Sequence, residues 1–262
     1  MKIGIVVNQA KDYASEYTKL LYNIIEEHNM NALVMTEEDF SYVDIVMSVG
    51  GDGTLIRTAK MACMYNKPVV GVNLGHLGYL AQIDKDNIKN CVARIACGDY
   101  KLCERMILDV SIRKGKSIVA DDIAINDIVV SRGSEVRGIR ISSYKDGNLI
   151  NKYFADGVIV ATPLGSTAYS LSAGGPVVDT EAQVVVLTPI CPHSFSARSF
   201  IAPVESEIVI TVDLKKDQLG TVVVDGSNSW DISEGVYVLI KKSKRLVKFI
   251  KFYDINCFER LN

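Results

Sequence analysis

Asp44-Ile-Val-Met-Ser-Val-Gly-Gly-Asp-Gly-Thr-Leu-Ile-Arg-Thr-Ala-Lys-Met-Ala62 is the stretch from which the fold is read. Residues 45–49 form an apolar run of the kind found in a fully buried strand. Gly50-Gly51 breaks the run, Asp52 presents one carboxylate, Gly53 turns again, and a helix is expected from Thr54 to about Tyr65. A strand–glycine–helix turn points backbone N–H groups and a helix N-terminus at one spot, which favours phosphate. Glycines let a ligand approach the backbone. Asp52 is the misfit, because a carboxylate repels phosphate unless it meets a metal or handles a proton. The second role suits a lone Asp between glycines.

Working outward, apolar runs at 2–8, 32–35 and 69–73 read as further strands of a parallel sheet. Tyr13, Tyr17, Leu20, Leu21, Ile24 and Ile25 recur with helical spacing, and a second helix is expected over 84–97. Strands alternating with helices indicate an α/β domain over residues 1–98 with a Rossmann- or flavodoxin-like parallel sheet. From Tyr100 the rhythm changes. Strand-like segments follow at 106–113, 117–121, 127–131, 139–144, 149–154, 158–161, 184–187, 208–212, 222–224 and 236–240, with one helix expected at 166–173. Lys114-Gly-Lys116 and Asp146-Gly147 are hairpin signals. The expectation is a β-sandwich domain over 99–244, with the apolar tail at 245–262 returning to the first domain. With no linker-like stretch between the domains, a cleft between them is the default ligand site.

Composition narrows the function. The 262 residues carry a net charge of −2, so no basic surplus points to nucleic acid or an anionic membrane. No apolar run is long enough to span a bilayer, and the first residues lack a signal-peptide pattern. The six cysteines form no CxxC pair, as expected of free thiols in a cytoplasmic protein. His28, His76 and His193 stand at no zinc-ligand spacing.

Four more stretches carry chemistry. In Gly71-Val-Asn-Leu-Gly-His-Leu-Gly-Tyr-Leu80, Asn73 offers a donor and an acceptor, and Tyr79 is either a stacking ring or a core aromatic. Asn126-Asp127 interrupts an apolar run, which is costly unless both are partnered. In 156–176, which begins Asp156-Gly157, Ser166, Thr167, Tyr169, Ser170 and Ser172 place five hydroxyls in seven residues beside a short helix. In 187–198, His193 and Arg198 suit either a phosphate or a subunit interface. No GxxxxGK[ST] loop is present.

These five stretches together resemble the NAD kinase family: GGDGT at 50–54, N-x-G-x-L-G at 73–78, Asn126-Asp127, the D-G-x-x-x-x-T-P-x-G-S-T-A-Y-S run at 156–170, and T-P-I-C-P-H-S at 188–194. They spread over about 145 residues. GGDGT alone is shared with lipid kinases of the diacylglycerol type and, more distantly, with phosphofructokinases. The lipid-kinase pattern P-x-G-T-x-N-D-F is not found. The resemblance implies transfer of the γ-phosphoryl group of ATP to the adenosine ribose 2′-OH of NAD, giving NADP, with a divalent metal such as Mg²⁺ held mainly by the nucleotide phosphates, and a homodimer or homotetramer. It implies Asp52 as the base. Gly53, Asn73, Tyr79, Asn126, Asp127, Asp156, Ala161, Thr167, Ala168, Tyr169 and Ser172 would meet NAD, with Asp156 at the nicotinamide amide. Gly50, Gly51, Thr54, Arg57, His193 and Arg198 would meet phosphates. Leu164 stands where the family pattern has Thr, which removes a hydroxyl, and Tyr79 where it has Phe, which keeps the ring. A lipid kinase and a non-catalytic NAD(H)-binding sensor are the alternatives.

Overall fold

The computed structural model describes residues 1–7, 14–35, 40–73, 83–134, 137–194, 197–215 and 218–252, in two compact units, residues 1–105 with 245–262 and residues 106–244.

In the first unit the chain runs β1 (Lys2–Val7), α1 (Ala14–Glu27), β2 (Asn31–Val34), β3 (Ile45–Val49), α2 (Asp52–Met64), β4 (Val69–Asn73), β5 (Ile83–Asp84) and α3 (Ile88–Ala96). β2, β1, β3 and β4 lie side by side in that order, all parallel, and β5 pairs with β4. Every residue of β3 and β4 is buried, as continuous apolar runs require of a sheet covered on both faces. Ile45, Met47 and Val49 pack with Leu21, Ile24 and Ile25 of α1 and with Ile88, Val92 and Ile95 of α3. Side chains alternate along a strand, so Ser48 points the other way. Its hydroxyl donates to Thr58 Oγ1 at 3.1 Å, which fixes α2 on that second face. The C-terminal segment is tied to this unit, with the Arg94 Nη2 group donating to Phe252 O at 3.0 Å and Phe249 in parallel register with Val69.

The second unit contains β6 (Lys101–Lys114, from Met106 on), β7 (Ser117–Ala124), β8 (Asp127–Arg132), β9 (Ile139–Lys145), β10 (Asn148–Ala155), β11 (Gly157–Ala161), α4 (Tyr169–Ser172), β12 (Val184–Ile190), β13 (Phe200–Pro203), β14 (Ile208–Asp213), β15 (Gly220–Val224), β16 (Asn228–Ile232) and the first part of β17 (Val236–Lys251). One sheet is antiparallel in the order β13-β12-β11-β8-β15-β16. Facing it, β10, β9, β14 and β17 form a second antiparallel array, beside the β6–β7 hairpin. Val158, Val160, Ile128, Val130, Val222 and Val224 point into the sandwich core with Ile139, Ile141, Ile208 and Ile210. The alternate residues Val129, Ile159, Ala161 and Val186 pack outward beneath Val178. The six-stranded sheet is therefore buried on both faces, and the segment between β11 and β12 is the cover of the outer one.

Several expected boundaries move. Helix α2 begins at Asp52, so Gly53 is a first-turn residue and no second turn exists. The helix expected at 84–97 starts at Ile88, after a 3-10 turn at Lys85–Asn87. The one expected at 166–173 is split into a 3-10 turn, Leu164–Thr167, and the four-residue α4, because Ala168 between them has a non-helical ψ of −130°. The unexpected strands β13 and β16 are the two edges of the six-stranded sheet. An edge strand needs less apolar alternation than an inner one, and Asn228-Ser-Trp-Asp231 has little. β17 continues through Lys241-Lys-Ser-Lys-Arg245, a charged run that reads from sequence as an end.

Candidate functional site

The glycine turn of the first unit is built by two different needs. A Cβ on Gly50 would lie 2.7 Å from Thr54 Oγ1, so packing against Thr54 demands glycine there. A Cβ on Gly51 or Gly53 would meet nothing within 4 Å, and neither residue has positive φ. The fold itself does not require these two glycines. Gly51 is the N-cap of α2 and supplies no side-chain cap. Ser, Asp or Asn at that position stabilises a helix by about 1 kcal/mol through a hydrogen bond to a first-turn N–H. Glycine adds no side chain that would compete with an outside anion for the helix N-terminus. Asp52 is half-buried in the first turn, between the two open positions. A carboxylate there also interacts favourably with the helix dipole. Thr54 is buried and Arg57 exposed on the same helix, while Asn73 is buried at the end of β4. Tyr79 and His76 lie outside the described residues.

The second unit gathers its polar residues where three neighbouring strands end together. β8 lies between β11 and β15, with Asp127 in register with Ala161 and Ile128 with Val224. Asn126, Thr162 and Asp225 therefore converge at one end of the sheet. The Asp225 carboxylate accepts hydrogen bonds from the backbone N–H groups of Ile125 (2.9 Å), Asn126 (2.7 Å) and Asp127 (3.2 Å). Its own N–H donates to Asp127 O at 3.0 Å. From the β11 side, the Thr162 hydroxyl donates to Ile125 O at 2.7 Å and its N–H to Asn126 O at 2.9 Å. The Gly165 N–H donates back to Thr162 Oγ1 at 3.0 Å. A Cβ on Gly165 would fall 2.1 Å from Asn126 O, so only glycine permits this approach. The backbone of residues 125–127 is held from both sides, while the Asn126 Oδ1 atom is buried and accepts no hydrogen bond from the described residues.

The five hydroxyls of 166–172 divide into two groups. Ser166 and Ser170 are fully buried and serve the fold. The Ser166 hydroxyl donates to Pro163 O and accepts from the Val178 N–H, and Ser170 shares a 2.9 Å hydrogen bond with Thr188. Thr167, Ala168, Tyr169 and Ser172 remain accessible, Tyr169 with 47% exposure. Ala161 is fully buried against Val129 and Val186, so its methyl faces that core and not an open site. Leu164, the departure from the family pattern, is buried as well.

Asp156 lies apart from this cluster. It precedes β11, at the opposite end from Thr162, and pairs with Arg132 Nε at 2.9 Å. Six residues of strand separate the two ends by roughly 20 Å. His193 sits at the Asp156 end, its N–H on Phe154 O and its ring edge-on to the Phe154 ring at 5.1 Å. Arg198 is exposed near it in sequence, its guanidinium donating to Ala197 O at 2.8 Å. The family resemblance assigns both Asp156 and Asn126 to NAD; the antiparallel register sends them to opposite ends of the sheet. The reading missed Asp225. Its signal was the Asp225-Gly226 pair closing an apolar strand, the same hairpin pattern as Asp146-Gly147. Among the described residues no group of three or more His, Cys, Asp or Glu side chains is placed to hold a metal ion, and no helix is long and apolar enough to cross a membrane. Cys63, Cys91, Cys97, Cys103 and Cys191 are free thiols.

A family model described as the ATP-NAD kinase C-terminal domain matches residues 125–252, and one described as the ATP-NAD kinase N-terminal domain matches residues 34–100. The chain is 39% identical over 271 residues to the NAD kinase of Ruminiclostridium cellulolyticum, covering 98% of this chain and 95% of that protein. It is 37% identical over 276 residues to the NAD kinase of Acetivibrio thermocellus, covering 100% and 96%. Among solved structures, an NAD kinase from Archaeoglobus fulgidus in complex with ATP superposes with a TM-score of 0.80 at 25% identity, covering 100% of this chain and 97% of that one. Yeast NADH kinase complexed with NADH superposes with a TM-score of 0.87 at 24% identity, covering 99% and 85%, a likeness of fold.

Burial first, and then the negative charge of Asp225, push the Asp127 carboxyl from an ordinary 3.8 up to about 7. The folded chain therefore keeps a proton that the unfolded chain releases near pH 4. The stability that depends on this carboxyl is complete below about pH 4 and is lost as pH rises through about 7. Asp127→Asn keeps a neutral group at every pH. Urea unfolding from pH 4 to 8 is expected to show the variant gaining on the parent as pH rises, by at most ~1.4 kcal/mol per pH unit. A difference that stays constant across this range contradicts the assignment.

Proposed function

The chain belongs to the ATP-NAD kinase family, and from that premise we propose that Asp52 is the base which orients and deprotonates the acceptor hydroxyl, the adenosine ribose 2′-OH of NAD, as it attacks the γ-phosphorus of ATP. The enzyme makes NADP from NAD with ATP as phosphoryl donor. The lipid-kinase and sensor alternatives find no support among the relatives. The observation that carries the proposal is the pair Gly51 and Gly53, open positions that the fold does not require, on either side of Asp52. They leave room for a triphosphate against the first turn of α2, with Gly50, Gly51, Thr54 and Arg57 nearest the phosphates in the chain.

The second unit supplies recognition. The buried Asn126 Oδ1 needs a donor, which a nucleotide amino or hydroxyl group provides, and the Asp127 carboxyl, raised to about 7, can donate when protonated as well as accept. Accessible Thr167, Ala168, Tyr169 and Ser172 line the base, and the family pattern assigns Asn73 and Tyr79 to NAD as well. Asp156, His193 and Arg198 contribute at the far end of the sheet, to the nicotinamide amide and phosphate.

The donor set fits a magnesium ion brought by the nucleotide, not a resident one. Magnesium keeps several waters and is carried largely by nucleotide phosphates, and among the described residues no group of three or more His, Cys, Asp or Glu side chains is placed to hold it. When bound, the ion neutralises charge on the transferring phosphoryl group. The chain's own part is to place the hydroxyl and accept its proton late, as the bond to phosphorus forms. An ordinary Asp, with a pKa of ~4, cannot ionise a ribose hydroxyl in the ground state. A positioned base acting in the transition state contributes on the order of 10²–10⁴ in rate, or roughly 3–5 kcal/mol. The same reading extends to a homodimer or homotetramer in the cytoplasm, with no nucleic-acid or membrane partner.

A coupled assay of NADP formation, varying donor and acceptor, tests the proposal. Asp52→Asn is expected to stay folded, bind NAD and lose at least ~100-fold in kcat; normal turnover would sink the base assignment. Chelation of divalent metal is expected to abolish turnover reversibly, and full activity in excess chelator would rule out the metal. Gly53→Ala should raise helix stability by about 0.5–1 kcal/mol yet weaken ATP use severalfold. An alanine that leaves the KM for ATP unchanged removes the argument from the open glycines.

A further inference from the structure

We infer that Asp225 is a positioning residue for dinucleotide recognition: its carboxylate gathers the backbone of residues 125–127 so that the Asn126 amide is presented to NAD at a fixed place. The inference rests on the reading of Asn126 as an NAD contact.

Three N–H groups in a row need an acceptor, and a strand end has no neighbouring carbonyl to give them. Ile125, Asn126 and Asp127 stand where the chain passes from β7 to β8, so ladder partners stop there. One carboxylate serves all three, at 2.7 to 3.2 Å. The cost of that arrangement is carried by Asp225 itself, whose φ of +50° is left-handed. Asp and Asn tolerate this region better than other side chains. The turn alone would accept Asn or Gly there. Oδ1 alone lies within reach of all three donors, at 3.1, 2.7 and 3.2 Å, and Oδ2 takes the Ile125 N–H a second time at 2.9 Å; the negative charge of a carboxylate strengthens each of these bonds. Thr162 holds the same segment from the other side through Ile125 O, and Gly165 closes over Asn126 O. With the backbone clamped on both sides, the Asn126 side chain is the free element of the cluster, and its Oδ1 is the buried acceptor that the described residues leave unmet.

Asp225→Asn tests this without straining the turn, because Asn suits the same φ. It removes the negative charge that strengthens all three bonds and replaces Oδ2 by an NH₂ that opposes the Ile125 N–H. The expected result is an apparent KM for NAD raised at least about tenfold, with kcat and the KM for ATP within about twofold of the parent and a melting curve that remains cooperative. Asn126→Ala should raise the KM for NAD similarly, and the double variant should be no worse than Asn126→Ala within about twofold, since one residue acts through the other. An unchanged KM for NAD in Asp225→Asn, or effects that multiply in the double variant, overturns the inference while leaving the NAD site in place. An unchanged KM in Asn126→Ala overturns the reading of the site, and the inference with it. Where Asp225→Asn does not fold, Thr162→Val releases the same segment from the β11 side, and an unaltered KM for NAD in that variant counts against the inference.

Discussion

An antiparallel sheet buried on both faces needs a second cover, and in this protein the cover is the segment from Thr162 to Gln183. Val158 and Val160 look into the sandwich, while Ile159 and Ala161 look out beneath Val178. Without that segment the outer row would be an exposed apolar strip in the middle of the six-stranded sheet. The internal hydroxyls follow from the same constraint. The cover contains a 3-10 turn and a four-residue helix in place of one regular helix, and Ser166 and Ser170 anchor it with side-chain bonds to Pro163, Val178 and Thr188. The accessible Thr167, Tyr169 and Ser172 are then the outer surface of a piece whose first duty is structural.

That cover also decides where the polar cluster sits. The segment leaves β11 at Thr162, and Thr162 is bonded to residues that enter β8. The third member, Asp225, leaves β15 on the other side of β8. Strand order β11-β8-β15 thus collects residues 37 and 100 positions apart in the chain. Burial beside Asp225 is also what holds the Asp127 proton to about pH 7. The polar residues are costly singly and tolerable together, because each backbone donor and acceptor of the 125–127 segment has been given a partner.

The glycine turn of the first unit works by omission. Gly50 is fixed by contact with Thr54, whereas Gly51 and Gly53 leave space and an uncapped helix start around Asp52. A capping side chain at Gly51 would stabilise α2, so the absence of one marks a position where fold stability and phosphate access pull in opposite directions. The negative Asp52 in a phosphate-friendly turn is consistent with that conflict, since its charge suits the helix N-terminus as well as an acceptor proton.

The apolar period-two and helical spacings by themselves determined the parallel sheet of the first unit, the helices on it, and the change to strands after Tyr100, because burial imposes those periods directly on the side chains. Strands β3 and β4 were legible to the residue. The motifs around Asp52, Asn126 and Thr167 determined the family. What only the tertiary structure decided is which polar residues meet. Edge strands β13 and β16 carry too little apolar signal to be read, and the charged run in β17 hides a strand held by its neighbours. Asp156 and Asn126 look alike in sequence, yet antiparallel register places them at opposite ends of one sheet. Asp225, a plain turn residue in the sequence, becomes the acceptor for three N–H groups 98 to 100 residues away. Such pairings are set by strand order and register, which depend on the whole packed sheet and leave no local trace in the chain.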